Sequence, residues 1–321
     1  MQTFLELSQL FERRFSEEQF PAEPATLYNA ARHILTVGGK RVRPVSVLLA
    51  NELFGELHED AFHAAMAVEL FHNFSLIHDD ILDNAPIRRG VQTVHSKFGR
   101  DAALLAGDVM LVAAYEKLSK ASAEFLPRLL QLFNSTSRKV CEGQQLDMDL
   151  EKISEVSMES YLEMITGKTS VLLACSLQMG AIVGGAGIGN QEHLYEFGKN
   201  LGIAFQIQDD YLDAYGDPEK FGKQVGGDII SNKKTFLWIH AVSASSETNR
   251  SKLNELMQSN TPDKVKQVLE VYNDCNVDSW ARTLKEKYFD KAMMHLDEVA
   301  VLKSRKARLE ELASFLIQRQ N

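Results

Sequence analysis

Long stretches without proline constrain this chain more than any other feature of its sequence. Interior proline breaks helices, and the seven prolines leave no interruption between Pro127 and Pro218 or after Pro262. Within these stretches, apolar residues recur every three or four positions, and alternation of period two is not sustained. The pattern therefore predicts an all-α protein. Because the sequence shows no repeat of fixed length and no low-complexity linker, we predict one multi-helix domain over residues 1–321.

One apolar segment is long enough to span a bilayer, because residues 169–191 contain no formally charged side chain. Glycines crowd its second half, however, and Ser176 and Gln178 interrupt its first half. We therefore predict a buried core helix that ends in a glycine-rich loop, and no transmembrane segment. The N-terminal residues carry Glu6 and Glu12 within their apolar pattern. This arrangement predicts an amphipathic helix rather than a signal peptide.

Charge and cysteine content exclude several classes of function. Lys and Arg number 35 against 44 Asp and Glu, which gives a net charge of 35 − 44 = −9 and argues against a broad nucleic-acid surface. Cys141, Cys175 and Cys275 lie far apart and form no C-x-x-C pair. A disulfide framework and a zinc site are therefore not expected, and the composition favours a protein of the reducing cytoplasm.

Two clusters of aspartate are the most informative motif. Residues 79–83 read DDILD and residues 209–213 read DDYLD, and each cluster follows an apolar helical run. With 18 aspartates in 321 residues, chance predicts about 0.06 copies of such a pattern, so two copies indicate a function. The first and last carboxylates of each cluster lie about 40° apart on one helix face, where like charges repel and oppose the helix dipole. For one cluster alone, a solvated acidic helix end would be the alternative. Because this charge repulsion occurs in both clusters, we favour neutralisation by bound cations.

The donor chemistry identifies the preferred cation. Carboxylate oxygens without cysteine, and with few histidines in position, suit Mg²⁺ better than zinc or iron. A carboxylate-bridged di-iron bundle would need a Glu-x-x-His pair on each of two helices. Glu69 and His72 form one such pair, and no other histidine has a glutamate three residues before it. The sequence therefore argues against the di-iron alternative and favours Mg²⁺ shared with phosphate.

Basic and glycine-rich segments stand beside the aspartates and provide candidate phosphate partners. They are GGKRVRP at residues 38–44, RRG at 88–90, GKT at 167–169, and the segment 222–234. A glycine-rich turn lets the backbone approach an anion, and arginine offers two parallel donors to phosphate oxygens. Any one of these segments alone would be interpreted as a solvated loop. Their regular placement strengthens the case for a phosphate site.

Taken in order, the motifs GGKRVRP, H-x6-DDILD, RRG, GKT, FQIQDDYLD and FGKQVGGDIISNKKT resemble those of the trans-isoprenyl diphosphate synthases. This family of head-to-tail prenyltransferases includes the farnesyl and geranylgeranyl diphosphate synthases. The resemblance implies a single all-α domain of antiparallel helices around a deep central cavity, the type I isoprenoid synthase fold. It also implies a homodimer, with three Mg²⁺ ions bound between the two clusters. Isopentenyl diphosphate and allylic diphosphates are the implied substrates.

The resemblance assigns roles to individual residues. It implies metal ligation by Asp79 and Asp83 with the help of Asp80, and by Asp209, with Asp210 and Asp213 acting more through water. It implies that isopentenyl diphosphate is held by Lys40, Arg43, His72 and Arg89. It implies that the allylic diphosphate is surrounded by Arg88, Lys168, Thr169, Gln206, Lys223 and Lys233. Arg41 and Lys234 fit the motifs without an assignable contact. The implied reaction is ionisation of the allylic carbon–oxygen bond, attack by the double bond of isopentenyl diphosphate, and loss of a proton.

Product length should depend on side chains below the first cluster, because the growing chain would run down that helix. Phe74 occupies a position where family members that make short products carry an aromatic residue, whereas Ser75 is small and Phe71 lies a turn deeper. This pattern resembles the geranylgeranyl type more than the farnesyl type, so we favour a twenty-carbon product over a fifteen-carbon one. In the alternative, Phe74 only packs between helices, since an ideal wheel points it about 140° away from Asp79.

Two rival functions come from other classes. A terpene cyclase shares the helical fold and the first cluster, but usually carries a mixed Asn/Ser/Glu pattern at its second metal site. A non-catalytic regulatory subunit would be expected to have lost one cluster. Both clusters are intact here, so we expect an enzyme.

Overall fold

The computed structural model describes residues 1–17, 20–216, 226–259 and 261–318. These residues are overwhelmingly helical, and the strands among them are confined to one pair of two residues each. The predicted all-α class is therefore confirmed. No helix among the described residues combines the length and the hydrophobicity that crossing a membrane would require.

The helices and strands are numbered in chain order. They are α1 (Phe4–Glu17), α2 (Ala25–Thr36), α3 (Val42–Glu52), α4 (Glu59–Leu82), β1 (Ile87–Arg88), β2 (Val91–Gln92), α5 (Val94–Phe98), α6 (Arg100–Leu118), α7 (Leu126–Lys152), α8 (Met158–Ile165), a π-helical turn (Thr166–Ser170), α9 (Val171–Val183), α10 (Ile188–Tyr215), α11 (Gly227–Ile230), α12 (Phe236–Ala244), α13 (Glu247–Gln258), α14 (Lys264–Asp274), α15 (Val277–Glu298) and α16 (Lys303–Ile317).

Two helices test the patterns seen in the sequence. In α1, Leu7, Phe11 and Phe15 are buried, so the N-terminal segment is the amphipathic helix that its spacing predicts. Helix α9 is buried along nearly its whole length and ends at Val183, directly before Gly184 and Gly185. The apolar stretch is therefore a core helix followed by a glycine-rich turn, as expected.

The chain folds into two compact units, each assembled from several separate segments. The first unit comprises residues Met1–Ser135, Cys175–Tyr195 and Val299–Leu309, and the second comprises Thr136–Ala174, Glu196–Glu298 and Glu310–Asn321. The expectation of a single domain over the whole chain stays a prediction.

The core of the first unit positions the end of α4. Helix α4 packs against α3 and α6, and a cluster of buried residues that includes Ala30, Ile77 and Met110 joins α2, α4 and α6. At Gly107 the helices α4 and α6 lie so close that a Cβ atom would stand 2.2 Å from Nε2 of His78. Glycine at this position leaves room for the imidazole of His78, the residue directly before Asp79.

A hairpin follows the first acidic cluster, and the sequence did not predict it. Ile87 pairs with Gln92 and Arg88 with Val91, in antiparallel register. The two turn residues, Arg89 and Gly90, have φ angles of +52° and +78°, so both adopt the left-handed conformation of a type I′ turn. Asparagine or glycine usually occupies the first of these positions, which is why an arginine there concealed the hairpin.

The second unit has its own core, which surrounds the C-terminal half of α10. Buried side chains from α8, α10, α12 and α14, among them Tyr161, Ile207, Phe236 and Val271, pack into one cluster. Burial of each large apolar side chain contributes about 1.5–3 kcal/mol. This core supports the last turns of α10, which carry the second acidic cluster.

Candidate active site

The first acidic cluster occupies the end of α4 and is held by one arginine. Asp80 is 1% exposed, and Nε of Arg88 donates to its Oδ1 at 2.9 Å and its Oδ2 at 3.0 Å. Nη2 of Arg88 lies 3.3 Å from Oδ2 of Asp79. Asp83 is the exposed C-cap of α4, and its N–H donates to the carbonyl of Asp79. The central aspartate is thus anchored, whereas Asp79 and Asp83 lie nearer the surface of the unit.

Arg88 remains charged in this environment. Burial by itself would lower its pKa, but hydrogen bonds and charge from Asp80, together with Asp79 and Asp83, raise the pKa above its ordinary value. The guanidinium also joins the hairpin to α4, because Arg88 belongs to β1. The sequence placed Arg88 near an allylic diphosphate; the structure places it beside the first cluster, and its substrate role stays a prediction.

Cationic residues gather in the first unit around the glycine-rich segment 38–43. Nη1 of Arg43 lies 3.2 Å from Nε2 of His72, and Arg89 donates to the carbonyl of Gly38. Lys40 is exposed on the same segment. The sequence predicted these residues for one diphosphate, and the structure brings Arg43 to His72 and Arg89 to the glycines.

The cations of this group lie close together and repel one another. Burial lowers the pKa of Arg43, the charge of Glu69 opposes this shift and the charge of Arg89 adds to it, so that the pKa is about 10. Burial, followed by the charges of Arg43 and Arg89, holds the pKa of His72 well below its ordinary value. Repulsion among cations is a cost that a bound phosphate would relieve.

Gly39 shapes the same group. A Cβ atom at Gly39 would stand 2.7 Å from Nη1 of Arg89, so the guanidinium lies directly over the glycine backbone. Gly38 has a φ of +74°, which also favours glycine. Gly38 is therefore favoured by its backbone conformation, and Gly39 by the space that the guanidinium of Arg89 occupies.

The second acidic cluster lies in the last turns of α10 and repeats the anchored arrangement. Asp210 is buried and accepts hydrogen bonds from the hydroxyl of Tyr161 and, at 2.7 Å, from Nε2 of Gln206. Burial and the charge of Asp228 raise the pKa of Asp210 to about 8, although both hydrogen bonds oppose the rise. Asp209 and Asp213 are half-buried. In this cluster too, the central carboxylate is held by neighbours and the flanking pair lies nearer the surface of its unit.

Asp213 connects the second cluster to α11. Its backbone carbonyl accepts from the N–H of Gly226 at 2.6 Å, and its Oδ2 accepts from the N–H of Asp228 at 2.9 Å. Lys233 follows α11, and its own N–H donates to the carbonyl of Asp228. Lys223, predicted near the allylic diphosphate, lies outside the described residues.

The GKT motif forms the π-helical turn between α8 and α9, a rare geometry that is frequent at functional sites. Nζ of Lys168 lies 2.5 Å from Oδ2 of Asp147, and the hydroxyl of Thr169 donates to Oε1 of Gln206 at 3.1 Å. Gln206 therefore bridges Thr169 and the buried Asp210. Hydrogen bonds therefore connect Thr169, Gln206 and Asp210, three of the predicted site residues, within the second unit.

Two glycines clamp this turn, and neither was predicted from the sequence. A Cβ atom at Gly143 of α7 would stand 2.2 Å from the backbone nitrogen of Lys168, and one at Gly202 of α10 would stand 2.7 Å from Cα of Ser170. Glycine in a helix interior costs about 1 kcal/mol, so each position marks a close approach. Asp147, one helical turn after Gly143, and Tyr161 were also missed. The spacing of Gly143 and Asp147 on one long helix was the available signal.

Lys234 has a structural partner that its motif did not reveal. Its Nζ donates to backbone carbonyls at the end of α7, at 3.0 Å to Glu151 and 2.6 Å to Ile153. The last carbonyls of a helix have no N–H donor within that helix. Lys234 therefore caps α7 and holds the segment that presents Lys233.

Phe71 and Phe74, two of the residues predicted to limit product length, belong to a cluster of tilted and edge-on aromatic rings before the first acidic cluster. The ring of Phe74 lies 5.4 Å from that of Phe71 and 4.8 Å from that of His78, and Phe71 contacts Phe133. The hydroxyl of Ser75 donates to the carbonyl of His72 within the same helix. Phe74 thus packs between neighbours, and its role in setting product length stays a prediction.

Over the described part of the chain, no three His, Cys, Asp or Glu side chains gather closely enough to hold a metal ion.

Known proteins resemble this chain in both sequence and structure. The family model described as polyprenyl synthetase matches residues 24–275. A short chain isoprenyl diphosphate synthase of Methanothermobacter thermautotrophicus is 37% identical, over 98% of this chain and 97% of the relative. A geranylgeranyl diphosphate synthase of Saccharolobus solfataricus is 38% identical, over 92% of this chain and 90% of the relative. A crystal structure of a geranylgeranyl pyrophosphate synthase superposes with a TM-score of 0.95 at 40% identity, and each chain is covered in full.

Proposed function

Because this chain belongs to the polyprenyl synthetase family, as its motifs predicted, we propose that it is a head-to-tail prenyltransferase that joins isopentenyl diphosphate to an allylic diphosphate. The observation that carries this proposal is the repeated acidic arrangement. In each unit, a DDxxD cluster at a helix end has its central aspartate anchored and its flanking aspartates less buried. Arg88 stands beside the first cluster, and the GKT turn contacts Gln206, one helical turn before the second cluster.

We propose geranylgeranyl diphosphate as the product. Relatives of that name support this product, at 38% identity for a sequence and 40% for a solved structure. The single aromatic Phe74 followed by the small Ser75 supports it independently. Farnesyl diphosphate is the alternative, and it has less support among these relatives.

The donor set fits Mg²⁺. This ion prefers oxygen ligands and dehydrates reluctantly, so it is commonly held by one or two carboxylates plus substrate phosphates. Asp79 and Asp83 would provide such a pair in the first unit, with Asp80 assisting by fixing Arg88. Asp209 would be a direct ligand in the second unit, and Asp213 would act through water. When bound, Mg²⁺ supplies Lewis acidity that draws charge from the diphosphate as its carbon–oxygen bond breaks.

The protein's own residues divide the remaining work. In the second unit, Lys168, Thr169, Gln206 and Lys233, with Lys223, would bind the allylic diphosphate and stabilise the charge that develops on its oxygens. Lys40, Arg43, His72 and Arg89 would hold isopentenyl diphosphate by its own phosphates and orient its double bond. The new carbon–carbon bond forms as that double bond attacks the allylic cation. A proton then leaves the condensed product for the departing diphosphate.

We also propose that the protein acts as a homodimer. In the first unit, α6 exposes Leu104, Leu105 and Val112 at 48%, 56% and 56% of their surface. These residues lie on one face of the helix, at a spacing of seven and eight. A second copy of this chain would cover that face, and sedimentation velocity measures whether the protein is a dimer. The three free thiols agree with a cytoplasmic setting.

Product analysis tests the proposed function. The purified protein is incubated with Mg²⁺, radiolabelled isopentenyl diphosphate and each allylic starter in turn, and the products are separated by chain length. A twenty-carbon product is expected, and a fifteen-carbon product would favour the farnesyl alternative. Failure to extend any starter would refute the synthase proposal and favour a non-catalytic subunit.

A further inference from the structure

Arg41 stands between two residues of the proposed isopentenyl diphosphate site, yet its side chain is buried. It is 7% exposed, whereas the neighbouring Lys40 is exposed. Nε of Arg41 lies 2.5 Å from Oε1 of Glu12 on α1, and its Nη1 pairs with Oε1 of Glu69 on α4. One guanidinium therefore joins the first unit's N-terminal helix, the basic segment and the helix that carries His72.

The backbone at Arg41 has an unfavourable conformation, which an anchored side chain would support. Its φ is +50°, a left-handed conformation that residues with a Cβ atom rarely adopt. Such conformations persist where the surrounding structure holds them in place. The two carboxylates provide that hold, because they fix the guanidinium from two sides. The direction of the chain between Lys40 and Arg43 thus depends on where Arg41 is anchored.

Glu69 is itself fixed and acts on the adjacent cation. It is 4% exposed, and Nδ2 of Asn73 donates to its Oε1 at 3.1 Å and to its carbonyl at 2.8 Å. The charge of Glu69 also opposes the lowering of the pKa of Arg43. Glu69 is therefore a buried part of this framework, and Glu12, whose side chain is 44% exposed, is its accessible part.

Glu12 lies on α1, before residue 24 where the family-model match begins. We propose that Glu12 is a positioning residue for the isopentenyl diphosphate site: through Arg41 it fixes the segment 38–43, so that Lys40 and Arg43 stand where the diphosphate binds. This inference rests on the proposed function. It makes the N-terminal helix a working part of that site.

The chain provides a matched control for removing Glu12. Nη1 of Arg14, also on α1, pairs with Oε2 of Glu59 at 2.6 Å, and Glu59 begins α4. Both Glu12→Gln and Glu59→Gln therefore remove one carboxylate from an ion pair with an arginine of the first unit. Only Glu12→Gln acts on the basic segment. A general loosening of α1 would be produced by either change.

Steady-state kinetics and calorimetry test the proposal. For Glu12→Gln we expect the KM for isopentenyl diphosphate to rise about tenfold, the equivalent of one lost charge-assisted hydrogen bond. The KM for the allylic substrate and kcat should stay within about twofold. Isothermal titration with isopentenyl diphosphate alone should show the same weakening. Glu12→Asp should recover part of the affinity, and Glu59→Gln should match the wild type.

Each outcome decides the question. An unchanged KM for isopentenyl diphosphate in Glu12→Gln, with an active wild type, would overturn the positioning role. Equal rises in both KM values, or the same change in Glu59→Gln, would show a structural role only. If Glu12→Gln unfolds, Glu12→Asp carries the test, and wild-type binding by that variant with a lowered Tm would likewise overturn the proposal. A wild type that extends no starter refutes the proposed function instead.

Discussion

Replacing Gly143 with alanine should separate catalytic geometry from stability. The added Cβ atom would stand 2.2 Å from the backbone nitrogen of Lys168, and ordinary van der Waals contact begins at 3.4 Å. The π-helical turn must therefore move by about 1.2 Å, the difference 3.4 − 2.2. Because the obstacle is backbone rather than a flexible side chain, the whole GKT turn has to shift. A misplacement of about 1 Å can cost about 10²-fold in rate, or about 2.7 kcal/mol of transition-state stabilisation.

The effect on stability should be smaller than the effect on catalysis. Overpacking costs about 1–3 kcal/mol, whereas alanine in a helix gains about 1 kcal/mol over glycine. The two contributions partly cancel, so we expect Tm to fall by only a few degrees. We therefore predict a kcat/KM for the allylic substrate that is about 10²-fold below that of the wild type, in a protein that remains folded.

The assay is initial-rate kinetics with isopentenyl diphosphate held at saturation and the allylic diphosphate varied, alongside thermal unfolding. Gly189→Ala is the control, because a Cβ atom added to this helical glycine would have no heavy atom within 4 Å. It should leave both kcat/KM and Tm close to wild type. A Gly143→Ala protein with wild-type kinetics and a lowered Tm would refute the assignment of the GKT turn to the allylic site. Wild-type values of both would refute the close approach itself.

Three further changes test other parts of the site. Phe74→Ala should lengthen the products, seen by chromatography, because it removes the aromatic ring below Asp79; an unaltered distribution would place the floor elsewhere. Gly39→Ala should raise the KM for isopentenyl diphosphate several-fold with little change in Tm, since the new Cβ displaces only the end of Arg89; an unchanged KM would remove Arg89 from that site. The pKa of His72 is depressed by burial and by Arg43, so below its ordinary pKa of about 6.5 the unfolded chain binds the extra proton and stability is lost as pH falls. Urea unfolding at pH 7.5 and 5.5 should show that the free energy of unfolding falls less in His72→Asn than in the wild type, by up to about 1 kcal/mol, and equal falls would contradict the depressed pKa.

The sequence was sufficient for the helical class and for the identity of most candidate residues. Helical spacing is a local property, so the amphipathic α1 and the buried α9 could be predicted without any tertiary information. The acidic and basic motifs are defined by residue type and order, so they too could be recognised from the sequence alone. The hairpin after the first cluster was missed, because Arg89 occupies a turn position where asparagine or glycine is the usual signal.

Which charged side chains are held by ion pairs within the protein could be seen only in the tertiary structure. Asp80 is held by Arg88 of the hairpin, and Arg41 by Glu12 and Glu69 from two other helices. A helical wheel gives the direction of a side chain but not what stands opposite it, and these partners come from elsewhere in the chain. For the same reason, the sequence could indicate by spacing that Gly143 and Asp147 share a helix face, but not that the backbone of Lys168 approaches Gly143. The sequence determines which charged residue types are present. Packing between distant segments determines which of them form internal ion pairs and which could bind a diphosphate.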